Sequence, residues 1–355
     1  MRTLVLLAIV SVTGHTAPCI TPTPACTEWV TLGGGPSRSL IYRNHPLDAK
    51  NERIIRALIV VHGAGRDADN YYRTSVAAAF LAGALDDTLV ISPRFASRSG
   101  GRGGCNDTLA ANEVNWSCNG DSWRSGGVSL SDSRLASYDL ADEILRKLAR
   151  KDVFPNLKAI VVSGHSAGGQ FVTRYEMANR VHDTLGVPVT YVVSNPSSYA
   201  YLDANRPSDN SNPATPGRPA ADDSGVGPFG DGRNCTTYDH WPYGLQGRTG
   251  YASKLSDDQL KKQLAARPAT YLLGEIDILP LGGFDSSCPA MAQGPTRLAR
   301  GQAFGRYVNK KYGAEHKVVV VPLCGHNARC MFTSDVALPI LFPGYGSKPV
   351  SGAEQ

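Results

Sequence analysis

Val161-Val162-Ser163-Gly164-His165-Ser166-Ala167-Gly168-Gly169 joins an apolar, β-branched run to a Gly-x-Ser-x-Gly turn that opens into a helix-compatible stretch. The run reads as a buried strand and the turn as a strained strand-to-helix corner with the Ser166 hydroxyl projecting from it. Gly164 and Gly168 let neighbouring backbone pack close to that corner without meeting a Cβ. A helix beginning there offers backbone N–H groups and a positive dipole end to a developing oxyanion. The segment therefore reads as a nucleophile elbow. A bare Gly-x-Ser-x-Gly is also a common Gly-rich turn, so the reading depends on its surroundings.

Three further segments supply those surroundings. Upstream, Ala57-Leu58-Ile59-Val60-Val61 has buried-strand composition and runs into His62-Gly63-Ala64-Gly65. A loop in that place completes an oxyanion hole with the N–H that follows the nucleophile, so Ala64, with Gly65 second, and Ala167 are the expected donors. Downstream, Thr270-Tyr271-Leu272-Leu273 leads to Gly274-Glu275-Ile276-Asp277, which puts a carboxylate just beyond a strand end. There it can orient a histidine and stabilise its imidazolium. Lys317 to Pro322 is the last strong strand, and Leu323-Cys324-Gly325-His326 follows it. The resulting chain order, Ser166, Asp277, His326, is the one that accompanies a nucleophile elbow.

Commoner uses of these residue types narrow the choice. Of the eight histidines, His15 lies in an apolar leader, His62 and His165 are built into the motif loops, and His316 precedes a strand at the wrong end of the sheet. His45, His182 and His240 have no strand-end context. His326 is thus the candidate general base. Asp277 is the candidate acid, although Glu275 is two residues away and Asp285 follows in the same loop.

Composition is that of a secreted globular protein. Met1-Arg2, a short apolar run and small polar residues ending near Ala17 have the anatomy of a secretory signal peptide over 1–17. The run falls short of the ~20 residues that span a bilayer. All eight cysteines lie beyond it, which fits an extracellular or, in a bacterium, periplasmic setting. Eight cysteines allow 105 pairings; proximity in sequence suggests Cys19 with Cys26, Cys105 with Cys118 and Cys324 with Cys330, which leaves Cys235 for Cys288. A zinc site at Cys324, His326 and Cys330 is the rival, but no Cys-x-x-Cys pair or second histidine cluster accompanies it. No metal or organic cofactor is expected. The net charge of +5 is mild and its basic residues are scattered, which gives no case for nucleic-acid binding. Asn106, Asn115 and Asn234 head glycosylation sequons that matter only in a eukaryotic source.

Strand and helix signals alternate as a mostly parallel sheet flanked by helices requires. Strands are predicted at 40–42, 57–61, 89–92, 159–163, 189–194, 270–273 and 318–321, and helices at 69–84, 133–150, 168–182, 257–266 and 297–311. Residues 18–355 are read as a single domain. Two stretches break the alternation, at about 96–127 and 201–254. Loops this long are usually functional. The first carries Trp116 and Trp123 and could wall a pocket with aromatic surface; the second, with Tyr238, His240, Trp241 and Tyr243, is the candidate partial cap.

Taken together, His62-Gly63-Ala64-Gly65-Arg66, the elbow, Gly274 to Asp277, Asp285-Ser286-Ser287-Cys288 and Cys324-Gly325-His326 resemble a secreted α/β-hydrolase. The nearest resemblance is to secreted hydrolases related to the polyhydroxybutyrate depolymerase and feruloyl esterase type, over about 30–332. It implies the α/β-hydrolase fold and a serine esterase acting on small-molecule or polymeric esters. Feruloyl esterases of the tannase type carry a cysteine directly before the nucleophile, where this chain has His165, so their disulfide and their aromatic-ester specificity do not transfer. A peptidase or amidase would use the same three residues, and an idle binding scaffold the same fold.

Overall fold

The computed structural model describes residues 17–100, 104–120, 122–207, 223–230 and 234–344. The leader expected over 1–17 lies, Ala17 apart, outside them, as does 208–222 of the second insertion. The strands are β1 (Thr27–Thr31), β2 (Arg38–Arg43), β3 (Arg56–Val61), β4 (Thr88–Pro93), β5 (Ala159–His165), β6 (Val189–Ser194), β7 (Asn205–Pro207), β8 (Val226–Pro228), β9 (Ala269–Gly274) and β10 (Lys317–Val321). The helices are α1 (Ala68–Leu81), α2 (Ser137–Leu148), α3 (Ala167–Ala178), α4 (Asp257–Ala266), α5 (Cys288–Met291), α6 (Arg297–Tyr312), α7 (Ala328–Phe332) and α8 (Leu338–Leu341).

Eight strands form one sheet in the order β1-β2-β4-β3-β5-β6-β9-β10. The β1–β2 and β2–β4 pairings are antiparallel, and those from β4 to β10 are parallel. This is the mostly parallel sheet of the α/β-hydrolase fold. Alternation along the strands divides the interior in two. Ala57, Ile59, Val61, Ile160, Val162, Tyr191, Val193, Tyr271 and Leu273 face one core, against α2, α3, α4 and α6. Leu58, Val60, Val161, Val192 and Leu272 face the other, against α1, α7 and α8. β3 lies between β4 and β5, so the chain reverses direction across the sheet there, the place where open α/β sheets bind ligands.

Three kinds of element escaped the sequence reading. β1 is an edge strand in which Val30 alone is buried, so Thr27–Thr31 carries no apolar run. β7 and β8 pair as a separate short ribbon within the second insertion. α5, α7 and α8 are only four or five residues long, too short for helical periodicity to register. The four disulfides are Cys19–Cys26, Cys105–Cys118, Cys235–Cys288 and Cys324–Cys330. No helix among the described residues is long and apolar enough to cross a membrane.

Trp116 and Trp123 differ from expectation. They are 0% and 2% exposed, and instead of walling a pocket Trp116 packs on Phe95 and Trp123 on Phe95 and Phe171. Their large apolar surface is worth more inside the core than at a wet rim.

Candidate active site

The elbow is built from backbone contacts that only glycine permits. A Cβ on Gly164 would stand 2.3 Å from Gly168 O, one on Gly168 2.1 Å from Val61 O, and one on Gly169 2.5 Å from Ser194 O. The start of α3 is therefore pressed against the ends of β3, β5 and β6. Ser166, between β5 and α3, takes φ 60° and ψ −118°, a conformation that costs a non-glycine residue of order 1–3 kcal/mol. Its N–H donates to Ser194 O at 2.9 Å, which helps to hold the turn.

His326 and Asp277 converge on this serine from two other strand ends. The Ser166 Oγ is 2.9 Å from His326 Nε2, and His326 Nδ1 is 2.8 Å from Asp277 Oδ2. With its proton on Nδ1, the imidazole donates to the carboxylate and leaves Nε2 to accept from the serine. Asp277 is buried, and its Oδ1 takes a second bond from Arg297 Nη1 at 3.2 Å. Arg297, fully enclosed at the start of α6, also donates to Ser197 Oγ at 2.8 Å, Leu281 O at 2.8 Å and Gly282 O at 2.9 Å. It thus fixes the carboxylate and the loop over the histidine at once. Gly282 adopts φ +57°, and a Cβ there would come within 2.9 Å of His326 Cδ2.

The other two carboxylates in that loop have different partners. Glu275 Oε2 accepts the Leu323 N–H at 2.8 Å and clips the β9 turn to the β10 turn. Asp285 accepts from the Tyr243 hydroxyl at 2.8 Å and the Ser287 N–H at 3.0 Å. The loop bearing His326 is closed by Cys324–Cys330 and capped by Asn327, whose side chain accepts the Cys330 N–H at 3.0 Å. Because the two sulfurs bond each other, neither is a thiolate for a metal. Asn195, at φ 45°, binds the Gly274 N–H at 2.8 Å and Gly325 O at 3.1 Å, tying the β6, β9 and His326 turns together.

A cavity of about 480 Å³ opens over Ser166, and Gly63, Ala64, Gly65, Tyr71, His165 and His326 are on its wall. Ala167 is the first residue of α3, where a backbone N–H has no partner within the helix. The Ala64 loop is anchored by Arg66, which donates to Ala64 O at 2.9 Å and pairs with Asp107 at 2.7 Å. His62 turns inward: Nδ1 lies 2.9 Å from Gly63 O, Nε2 accepts the Phe95 N–H at 3.0 Å, and complete burial lowers its pKa to about 4. His165 meets the Tyr71 hydroxyl at 3.1 Å, and its ring lies 4.7 Å from that of His326. Burial first, and then the His326 charge, hold its pKa well below the ordinary histidine value. His165 is therefore not a second cation beside His326. Of the described residues of the second insertion, Trp241, Pro242 and Tyr243 line a neighbouring cavity and none lines this one.

Arg297, Asn195 and Tyr71 were not legible as site residues. A cation in the first turn of α6 opposes the helix dipole, and that anomaly is the one sequence signal Arg297 offered.

Residues 58–338 match the profile of the alpha/beta hydrolase family. No curated protein sequence matches the chain significantly. Among solved structures, the poly(3-hydroxybutyrate) depolymerase LpqC of Bordetella parapertussis is similar with 21% identity and a TM-score of 0.57, over 87% of this chain and 85% of that one. Poly(aspartic acid) hydrolase-1 of Sphingomonas sp. KT-1 is similar with 21% identity and a TM-score of 0.53, over 86% of this chain and 95% of that one. At these identities the likeness is one of fold.

Proposed function

Since the chain belongs to the alpha/beta hydrolase family, we propose that it is a secreted serine hydrolase that cleaves carboxylic esters through an acyl-enzyme on Ser166. The observation that carries this reading is the unbroken hydrogen-bonded line Ser166–His326–Asp277, with its serine on a strained elbow at the floor of a cavity. In the first half-reaction Ser166 Oγ attacks the acyl carbon while His326 Nε2 takes its proton. Asp277 keeps the imidazole in the required tautomer and balances its charge. The backbone N–H groups of Ala64 and Ala167 receive the oxyanion. His326 then returns the proton to the departing alcohol. Water, deprotonated by the same nitrogen, attacks the ester carbonyl and frees Ser166. Export past the leader over 1–17 accords with four disulfides, which persist in oxidising compartments.

The test is hydrolysis of nitrophenyl esters beside nitroanilides, with fluorophosphonate labelling, for wild type and Ser166→Ala. Wild type should label, prefer esters and lose both properties in a folded Ser166→Ala variant. Near wild-type turnover by that variant would sink the proposal, and preference for the anilides would make the protein an amidase.

A further inference from the structure

The two insertions meet beside α3, around a second cavity of about 370 Å³ that shares no wall residue with the first. Trp241 Nε1 donates to Ser125 O at 3.1 Å and ties one insertion to the other there. Arg174 of α3 lines this cavity and is 1% exposed. Its guanidinium donates to Pro242 O at 2.9 Å, Gln170 O at 3.2 Å and Ser198 Oγ at 3.0 Å. All three acceptors are neutral, and two of its five N–H bonds are left over. Arg124, half-buried on the same wall, donates to Ser122 Oγ at 3.0 Å and Cys118 O at 3.3 Å, again neutral groups. Asp285 is the one carboxylate on the lining among the described residues, and it is engaged by Tyr243 and Ser287.

A buried cation without a counter-ion is costly. Burial accordingly brings the Arg174 pKa down to about 10, with Tyr138, Tyr243 and Asp285 only partly offsetting it. Among the described residues of the wall, two guanidiniums face one carboxylate, which leaves room for a single further negative charge. A carboxylate supplies one, and its two oxygens in a plane match the guanidinium fork, whereas a phosphate dianion would overshoot. We propose that this cavity is a carboxylate-binding subsite with Arg174 and Arg124 as its cationic pair. Its place relative to the nucleophile is set by α3. The Gln170 N–H bonds to Ser166 O, and Arg174 is one further turn along, roughly 12 Å from the serine along the helix, with its guanidinium reaching back to Gln170 O. Resting on the ester-hydrolase reading, the anion is the far end of an acyl chain whose ester carbonyl sits at Ser166. A free dicarboxylate offers the same chemistry.

The experiment uses the full-length protein. The mono-4-nitrophenyl esters of adipic and suberic acid are compared with chain-matched 4-nitrophenyl hexanoate and octanoate, and free adipate is tested as a thermal stabiliser. Charged hydrogen bonds of this kind are worth about tenfold or more. Wild type should therefore favour at least one hemiester by about tenfold in kcat/KM, and the ratio should fall to about one in Arg124→Gln. Arg174→Lys, which keeps the charge and loses the fork, should lower the ratio as well. Where Arg174→Lys does not fold, Arg124→Gln decides alone, because that position is partly exposed. A wild-type ratio of one, together with an adipate-induced rise in Tm that Arg124→Gln abolishes, keeps the subsite and makes its ligand a free anion. A ratio of one and no adipate shift overturn the proposal. Inertness of the folded protein toward the neutral esters overturns the esterase reading instead, and the adipate shift still decides the subsite.

Discussion

Asp277 and Glu275 are two residues apart, yet one points inward to His326 and Arg297 while the other points outward to the Leu323 N–H. Sequence alone could not separate them, because both follow β9 and both are acids. What separates them is burial. Asp277→Asn should lower kcat by about 10⁴-fold, the scale on which an imidazole loses its orienting carboxylate. Glu275→Gln retains an acceptor for Leu323 and should change kcat by less than about tenfold; the reverse order in steady-state kinetics would move the acid's role to Glu275. Ser166 and His326 were legible for a different reason. Each follows a strongly apolar strand, and a strand end is visible in composition. Arg297 and Asn195 act through bonds to groups remote in sequence, which no local pattern records.

At the scale of elements, the loop that carries His326 has little regular structure to hold it. Leu323 sits at φ 58°, Gly325 follows, and the turn is closed by a bond between residues six apart. The spacing of Cys324 and Cys330 made this closure readable in advance. A ring so small removes little chain entropy, so its loss should cost about 2 kcal/mol in stability. A displacement of about 1 Å at the base can cost ~100-fold in rate. Cys324→Ser with Cys330→Ser is therefore expected to lower kcat by well over tenfold while shifting the urea midpoint only modestly, and equal losses in both would show that the bond serves the fold alone. The central strands were legible from their β-branched runs, and the edge strand β1 was not, since water on one side leaves it polar.

Across the whole molecule, charge burial sets a pH dependence. His45, His62, His165, His182 and His316 all have pKa values lowered chiefly by burial, and His62 titrates near 4. The unfolded chain takes up protons as pH falls through about 6.5 while the folded chain does not, so stability is present above 6.5 and is lost toward 4. Glu176 and Asp142, raised by burial, slope the other way above the ordinary carboxylate range. Removing His62 isolates its share. The stability lost between pH 7 and pH 5 should be smaller by about 2 kcal/mol in His62→Gln than in wild type, as read from denaturant titrations; identical losses would mean that His62 is charged in the fold. Both cores were foreseeable from strand alternation, whereas the order β4-β3-β5 was not, because it depends on which strands pair across long stretches of chain. That order has a practical side. β3 and β5 meet along six paired residues, from Arg56 with Ala159 to Val61 with Gly164, with β4 and the first insertion between them in the chain. A cut after β4 would part the Ala64 loop from Ser166 and leave each fragment half a centre, so turnover regained on mixing two separately made fragments would report the zipping of one strand onto the other.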